Sequence, residues 1–404
     1  MEKPQNLNCA WASAGLALHN SGRCLLCCHS QTYLEDDHGQ QLYLDANTVE
    51  QAWNSPTRQQ IQQDLAAGIQ HPNCSACWNE EAAGRLSRRQ VANQQFADLE
   101  INPAKPQLVD LKPGNTCNLA CRTCWPEVSS KWYRDYWETD AHRWEPDYKK
   151  YLSSWGRIRT SYTNGNTRLW SDLDSWFSDV VYYDIYGAEP MLLDKVFDIL
   201  RHSVETGQSR NQSLHVNTNG TIWNQEYIDI LTQFKQVNID ISIDGIGPHF
   251  DYIRYGETWA TVEQNLNRYQ ELAKNNANIA ICICVTVCSL NVLYINQLEQ
   301  YFVKRKLPMF FNMVHHPHHI NVRALPDAVK AQVRQQVESE LSQNRNVQHI
   351  TSVLDFMDMP LENQPQSWQK FCETTKKLDL LREQDLASTF PEFWKSIEPY
   401  WLGS

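Results

Sequence analysis

The sequence predicts an α/β fold in which consecutive βα units surround a parallel sheet, open or barrel-like. Three observations carry this. From about residue 107, short apolar runs alternate six times with longer amphipathic stretches, the signature of strands joined by crossover helices. Such crossovers return each strand parallel to the last. The cysteines also divide the chain: nine of the 13 lie within the first 124 residues. That sets a thiol-rich N-terminal segment apart from the βα series. Finally, 404 residues are enough for two to three domains at about 150 residues each.

Taken in order, residues 1–105 have few long apolar runs but six cysteines, with turn signals at Asn20-Ser21-Gly22 and His71-Pro72-Asn73. A segment that cannot fill a large core yet clusters its thiols is usually held by a metal. Residues 106–325 carry the predicted strands 108–111, 180–186, 214–217, 237–243, 279–287 and 309–314, with helices 191–204, 225–234, 259–273 and 293–304 between them. An aromatic insert, residues 125–176, holds seven of the 15 tryptophans. It reads as a lid or substrate wall, or as amphipathic helices packing their indoles on the sheet. Residues 326–404 read as a polar helical region without evident chemistry.

Composition narrows the function. Lys and Arg number 36 against 47 Asp and Glu, a formal net charge of −11, which argues against a general nucleic-acid or anionic-membrane surface. Mean hydropathy is −0.57, and the longest apolar run, residues 279–288, is about half of a bilayer span. Residues 1–8 (MEKPQNLN) lack the charged and apolar regions of a secretion signal, so a cytoplasmic setting is expected. In that compartment an odd number of cysteines points to metal binding or catalysis rather than disulfides. Cys282, Cys284, Cys288 and Cys372 are scattered and read as small core residues.

The run Cys117-Asn118-Leu119-Ala120-Cys121-Arg122-Thr123-Cys124 follows the first βα strand. Three thiolates on one loop can hold three irons of a 4Fe-4S cube and leave the fourth open. An open position is the logic of a catalytic site. Zinc on three cysteines and a distant histidine is the competing metal, and spacing alone does not separate the two.

With its further landmarks the sequence resembles the radical S-adenosylmethionine (radical SAM) superfamily. Gly187-Ala188-Glu189-Pro190 is similar to the family's Gly-Gly-Glu-Pro segment, Thr218-Asn219-Gly220 to its ribose-side turn, and Ser242-Ile243-Asp244-Gly245 to its Ser-x-Asp-Gly segment. Arg254 follows Ser242 by twelve residues, as in the anaerobic sulfatase-maturating branch. Val285-Thr286-Val287 with Asn291 fits more loosely. Two residues depart from the pattern: Thr123 stands where an aromatic usually precedes the third cysteine, and Ala188 replaces the second glycine. The resemblance implies a partial (β/α)6 TIM-like barrel with its site at the C-terminal strand ends. It further implies that the open iron chelates S-adenosylmethionine, with Gly187, Glu189, Asn219, Ser242, Asp244 and Arg254 binding the cofactor. Reductive cleavage then yields a 5′-deoxyadenosyl radical that abstracts a substrate hydrogen.

A second set, Cys9, Cys27, Cys74 and Cys77, resembles the ligands of the twitch domain, the shortened relative of the SPASM domain, which binds an auxiliary 4Fe-4S cluster. The stretch 74–88 (CSACWNEEAAGRLSR) is similar to the Cys-x2-Cys-Trp-x2-Glu-x2-Gly segment of twitch-containing proteins. Here the module precedes the barrel instead of following it. Cys24 and Cys28 are spare thiols, either of which can stand in for Cys27, and a four-cysteine zinc knuckle has the same ligand count. A histidine run, His315, His316, His318 and His319 around Pro317, follows the sixth strand and reads first as a polar loop or pocket wall.

The resemblance therefore implies an oxidoreductase-type radical enzyme with two 4Fe-4S clusters and S-adenosylmethionine. Its expected electron donor is a reductase such as flavodoxin or ferredoxin. Family analogy gives a ribosomally made peptide as the first substrate and a small metabolite as the second. The non-enzymatic rival, an iron-sulfur carrier or zinc-held protein, needs only the cysteines.

Overall fold

The computed structural model describes residues 7–401 except 45, 83, 85, 113, 140–170, 172–174 and 177. Most of the tryptophan-rich insert, 125–176, therefore lies outside the described residues. The protein is a mixed α/β fold with eight strands in a mostly parallel sheet, and its succession of βα units is that expected of a partial barrel. The chain divides into two compact units, Met1–Asn115 with Leu152–Val216 and Gln225–Val237, and Thr116–Tyr151 with Asn217–Asn224 and Asn238–Ser404.

The first unit contains two strands that the sequence reading missed, β1 (Gly15–Leu18) and β2 (Cys24–Leu25). They are short, and tertiary pairing makes them strands: β1 pairs antiparallel with β2 and parallel with β3 (Leu108–Leu111). The N-terminal segment thus extends the sheet as well as carrying thiols. Next come β4 (Tyr182–Ile185) and β5 (Ser213–Thr218), paired in parallel with Asp110 opposite Asp184 and Asp184 opposite His215. Every residue of β1, β3 and β4 is buried, as in parallel strands covered on both faces. Trp11 and Phe96 cover Tyr182 edge-on, at 6.4 and 5.2 Å. At Gly15 a Cβ would lie 2.4 Å from the Trp11 ring, so only glycine lets the strand start there. Helix Asp194–Glu205 buries Val196, Phe197, Ile199 and Leu200, and Phe197 stacks on Tyr227 at 3.6 Å.

The second unit holds most of β6 (Gln236–Ser242), together with β7 (Ile279–Val287) and β8 (Met309–Met313). β7 and β8 are parallel, with Ile283 opposite Met309. Helix Trp259–Asn275 starts where the Thr258 hydroxyl accepts from Thr261 N and buries Val262, Leu266 and Tyr269. Each of these buried side chains contributes roughly 1.5–3 kcal/mol. The expected C-terminal helices are Asp327–Ser339, Val347–Asp358 and Gln364–Arg382. Arg334 pairs with Asp355 and Asp358, tying the first two together. No helix among the described residues is long and apolar enough to cross a membrane.

Candidate functional site

In the second unit the cysteine loop is built by bonds to distant segments. Ala120 N donates to Tyr255 O at 2.8 Å and Arg122 N to Ile253 O at 2.7 Å, so the loop is pinned to the turn carrying Arg254. Trp132 Nε1 donates to Cys121 O at 2.7 Å, and Ser129 Oγ to Leu119 O at 2.5 Å. Cys117, Leu119 and Cys121 form a buried cluster with Cys124 packed against it. Gly256 permits the approach: its φ is +123°, and a Cβ there would lie 2.9 Å from Asn118 O.

Several landmarks converge on this loop. Asn219 Nδ2 donates to Asn118 Oδ1 at 2.9 Å and approaches Cys117 Sγ at 3.8 Å. Arg254 donates through Nε to Asp244 Oδ2 at 2.9 Å, and its charge reaches Cys121 and Cys124. A hydrogen bond from Cys124, reinforced by Arg254, pulls the Cys121 thiol below its ordinary value, which is the direction a thiolate ligand needs. Asp244 itself is held by Thr286 N at 2.7 Å, and Asn291 Nδ2 donates to Asp244 O at 3.0 Å. Asn291, at the loosest landmark, thus buttresses the Asp244 turn. Ser242 Oγ bonds Asn217 Oδ1 at 2.9 Å. Of the histidine run, His316 packs edge-on to Trp125 at 4.7 Å, one residue past Cys124, while His319 is buried.

Sequence reading saw no chemistry in the C-terminal region, but side chains from helix Gln364–Arg382 hold this loop. Arg122 Nη2 donates to Asp379 Oδ1, and Arg382 donates twice to Asp135 Oδ2, at 2.9 and 2.6 Å. The Arg382 guanidinium also lies over the Trp132 and Tyr255 rings.

In the first unit Gly187 and Ala188 both have positive φ, +82° and +55°, followed by the fully buried Glu189. The Glu189 side chain accepts from Met191 N at 3.1 Å, capping the short turn Pro190–Leu192. The backbone at this turn calls for two glycines in succession, and this chain supplies one.

The same unit assembles the second cysteine set. Cys9 precedes helix Ala10–Ala14, Cys74 ends the turn Pro72–Cys74, and Cys77 lies in helix Ser75–Ala82. The Cys9 thiol interacts with Cys77, Cys27 with Cys9 and Cys74, and Cys74 with Cys77. Cys24 faces none of these and is raised by burial alone. Cys28 interacts with Asp110, Arg88, Cys27 and Asp184. Of the three, Cys27 is the one whose thiol interacts with Cys9 and Cys74. Burial, with repulsion from Cys9, pushes both Cys27 and Cys74 up to about 12. Thiols so raised ionise together when a cation takes their protons' place. All thirteen cysteines are free.

A tetrahedral zinc with Zn–S near 2.3 Å holds its sulfurs about 3.8 Å apart. Among the described residues, the one group of three or more candidate donors whose ligand atoms all lie within 4.8 Å of one another is His29, Cys77 and Glu80. Neither Cys117, Cys121 and Cys124 nor Cys9, Cys27, Cys74 and Cys77 meet that criterion as a set.

Residues 111–287 match the family model described as Radical SAM superfamily. No curated protein matches the chain. Among solved structures it is similar to native anSMEcpe with bound AdoMet, at 15% identity over 74% of this chain and 98% of that one, TM-score 0.36. It is similar to SuiB of Streptococcus suis bound to S-adenosylmethionine, at 12% identity over 81% and 67%, TM-score 0.34. The radical S-adenosylmethionine methyltransferase TsrM from Kitasatospora setae, with cobalamin and a 4Fe-4S cluster bound, matches at 12% identity over 55% and 36%, TM-score 0.34.

Proposed function

From the premise that the chain carries a radical SAM domain over residues 111–287, we propose that it reductively cleaves S-adenosylmethionine and oxidatively modifies a ribosomally made peptide. The observation that carries the first half is the convergence of Asn219, Asp244 and Arg254 on the Cys117–Cys121–Cys124 loop. An iron-sulfur carrier has no use for that arrangement. A 4Fe-4S cluster bound there supplies low-potential electron transfer to S-adenosylmethionine and so a 5′-deoxyadenosyl radical.

The chain's own residues hold and orient. Cys117, Cys121 and Cys124 ligate three irons. Arg254, buried and locked by Asp244, presents a fixed positive charge suited to the cofactor's carboxylate. Glu189 is the acceptor for its amino group. Asn219 and Ser242 line the ribose side, with Gly187 keeping its turn open. Cys9, Cys27, Cys74 and Cys77 ligate an auxiliary 4Fe-4S cluster, which suits removal of the electron that turns a substrate radical into a closed-shell product. A flavodoxin or ferredoxin supplies the reducing electron. The peptide substrate rests on the resemblance to the sulfatase-maturating branch.

Anaerobic purification with iron and sulfide analysis tests this. About eight irons per chain and formation of 5′-deoxyadenosine are expected, and the triple change Cys117→Ala, Cys121→Ala, Cys124→Ala should abolish cleavage while leaving about four irons. Cleavage surviving the triple change would overturn the assignment. Deuterium transfer from labelled candidate peptides into 5′-deoxyadenosine tests the substrate.

A further inference from the structure

His29, Cys77 and Glu80 place one ligand atom each within 4.8 Å of the other two. His29 follows the loop that carries Cys27, and Glu80 lies one turn after Cys77 on helix Ser75–Ala82. Their local sequence gives no hint of the meeting, since 48 residues separate His29 from Cys77. Two atoms of this group, His29 Nδ1 and Glu80 Oε2, are buried without a hydrogen-bond partner. A buried imidazole nitrogen and carboxylate oxygen left unpaired are costly, and a cation shared by His29, Glu80 and the Cys77 sulfur would satisfy them. The neighbouring carboxylate Glu81 is already engaged by Arg89 and Ser87, which leaves Glu80 as the acid turned toward this position.

We propose that His29 is a nitrogen ligand to the metal bound at Cys77, with Glu80 set against the same position, so that the N-terminal centre is not held by cysteine alone. The donor set of imidazole, thiolate and carboxylate suits iron or zinc, and its compactness is that of ligands sharing one ion. The inference rests on reading the N-terminal cysteines as a metal centre. It makes the metal at Cys77 chemically distinct from the others, with a nitrogen donor added to its thiolate.

The test uses the full-length protein carrying Cys117→Ala, Cys121→Ala and Cys124→Ala, reconstituted anaerobically with iron and sulfide, so that only the N-terminal centre is loaded. Pulsed electron paramagnetic resonance of the reduced centre should show nitrogen coupling that His29→Ala removes. His29→Ala should also lose metal to a chelator about 10- to 100-fold faster, and His29→Cys, which restores a donor, should recover retention. No nitrogen coupling, together with unchanged retention in His29→Ala, overturns the proposal. Zinc in place of iron overturns the auxiliary-cluster reading instead. His29 is then judged by a nitrogen shell in zinc X-ray absorption, present and lost in His29→Ala if the proposal holds and missing if it does not. Failure to bind any metal overturns both.

Discussion

Asp379 accepts a 2.5 Å hydrogen bond from Arg122, 257 residues earlier in the chain. Arg122 sits between Cys121 and Cys124 of the cysteine loop, with its side chain 1% exposed. The same Asp379 carboxylate accepts from Tyr252 Oη at 2.7 Å and from Leu386 N at 2.9 Å. Arg122 Nε meanwhile donates to Tyr252 O at 3.2 Å. One carboxylate in the C-terminal helix therefore joins the cysteine loop to the segment bearing Arg254. The loop has three cysteines to place and little secondary structure of its own, so its shape depends on this network.

Asp379→Ala leaves the Arg122 guanidinium buried without its counter-charge. Breaking such a pair costs about 3–5 kcal/mol. The expected outcome is a clearly lower thermal midpoint and faster loss of iron from the Cys117 site, with Asp379→Asn intermediate because it keeps an acceptor oxygen. Parallel thermal melts and chelator-release kinetics measure both. Wild-type values for Asp379→Ala would show that the loop is shaped without it.

Gly256→Ala acts on the same loop from its other side. The substitution meets Asn118 O at 2.9 Å and Leu119 Cα at 3.2 Å, both atoms of the cysteine loop's own backbone, at a φ of +123° that L residues rarely adopt. Overpacking against backbone costs roughly 1–3 kcal/mol. Iron bound at Cys117, Cys121 and Cys124 should fall while iron at the N-terminal centre stays. Selective loss of one cluster, read by iron analysis and by 5′-deoxyadenosine formation, is the signature.

Local pattern explains how much of this was legible in the sequence. The apolar runs of β3 to β8 are continuous enough to mark strands, and the predicted 108–111 and 279–287 match Leu108–Leu111 and Ile279–Val287. The Cys117 to Cys124 spacing is local as well. β1 and β2 escaped because four and two residues carry no periodicity, and pairing with β3 is what makes them strands. Asp379 and Arg382 escaped for a related reason. A charged residue on a polar helix looks solvated until the fold shows the arginine or aspartate opposite it. His29 and Glu80 are ordinary in sequence and informative only through their distance from Cys77.

Asp110 provides a pH prediction. Burial, with repulsion from Asp184, raises its pKa to about 7, above the usual 3.8. Between these values the folded state holds the proton more tightly than the unfolded chain, so Asp110 lowers stability as pH rises through that window. Asp184 is shifted the other way, below its ordinary value, despite its burial, through its bonds to His215 and Arg88. Its contribution is present at neutral pH and lost in acid. Asp110→Asn removes the first effect, while its carbonyl can still accept from Tyr186 Oη, which bonds Asp110 at 2.8 Å. The stability gain of the variant over wild type should therefore be small near pH 4 and grow toward pH 8. Denaturant titrations at several pH values measure it, and a gain independent of pH would contradict the assignment.

Ala188 and Gly187 offer the complementary case, where backbone conformation alone decides the outcome. Ala188 has a φ of +55°, which costs an L residue roughly 1–2 kcal/mol. Glycine removes that cost and returns part of it as unfolded-state entropy, so Ala188→Gly should stabilise by about 1 kcal/mol. Gly187→Ala should do the reverse. Its Cβ meets only Lys112, at an ordinary 3.5 Å, so the penalty comes from a φ of +82° and not from crowding. Shifts of opposite sign at adjacent positions, read from denaturation midpoints at constant m-value, would isolate the backbone effect. Because Glu189 follows directly, Ala188→Gly should also leave the capping bond to Met191 N intact, and S-adenosylmethionine affinity should hold while stability rises. A loss of affinity with unchanged stability would mean that the methyl group of Ala188 contributes to the cofactor site itself.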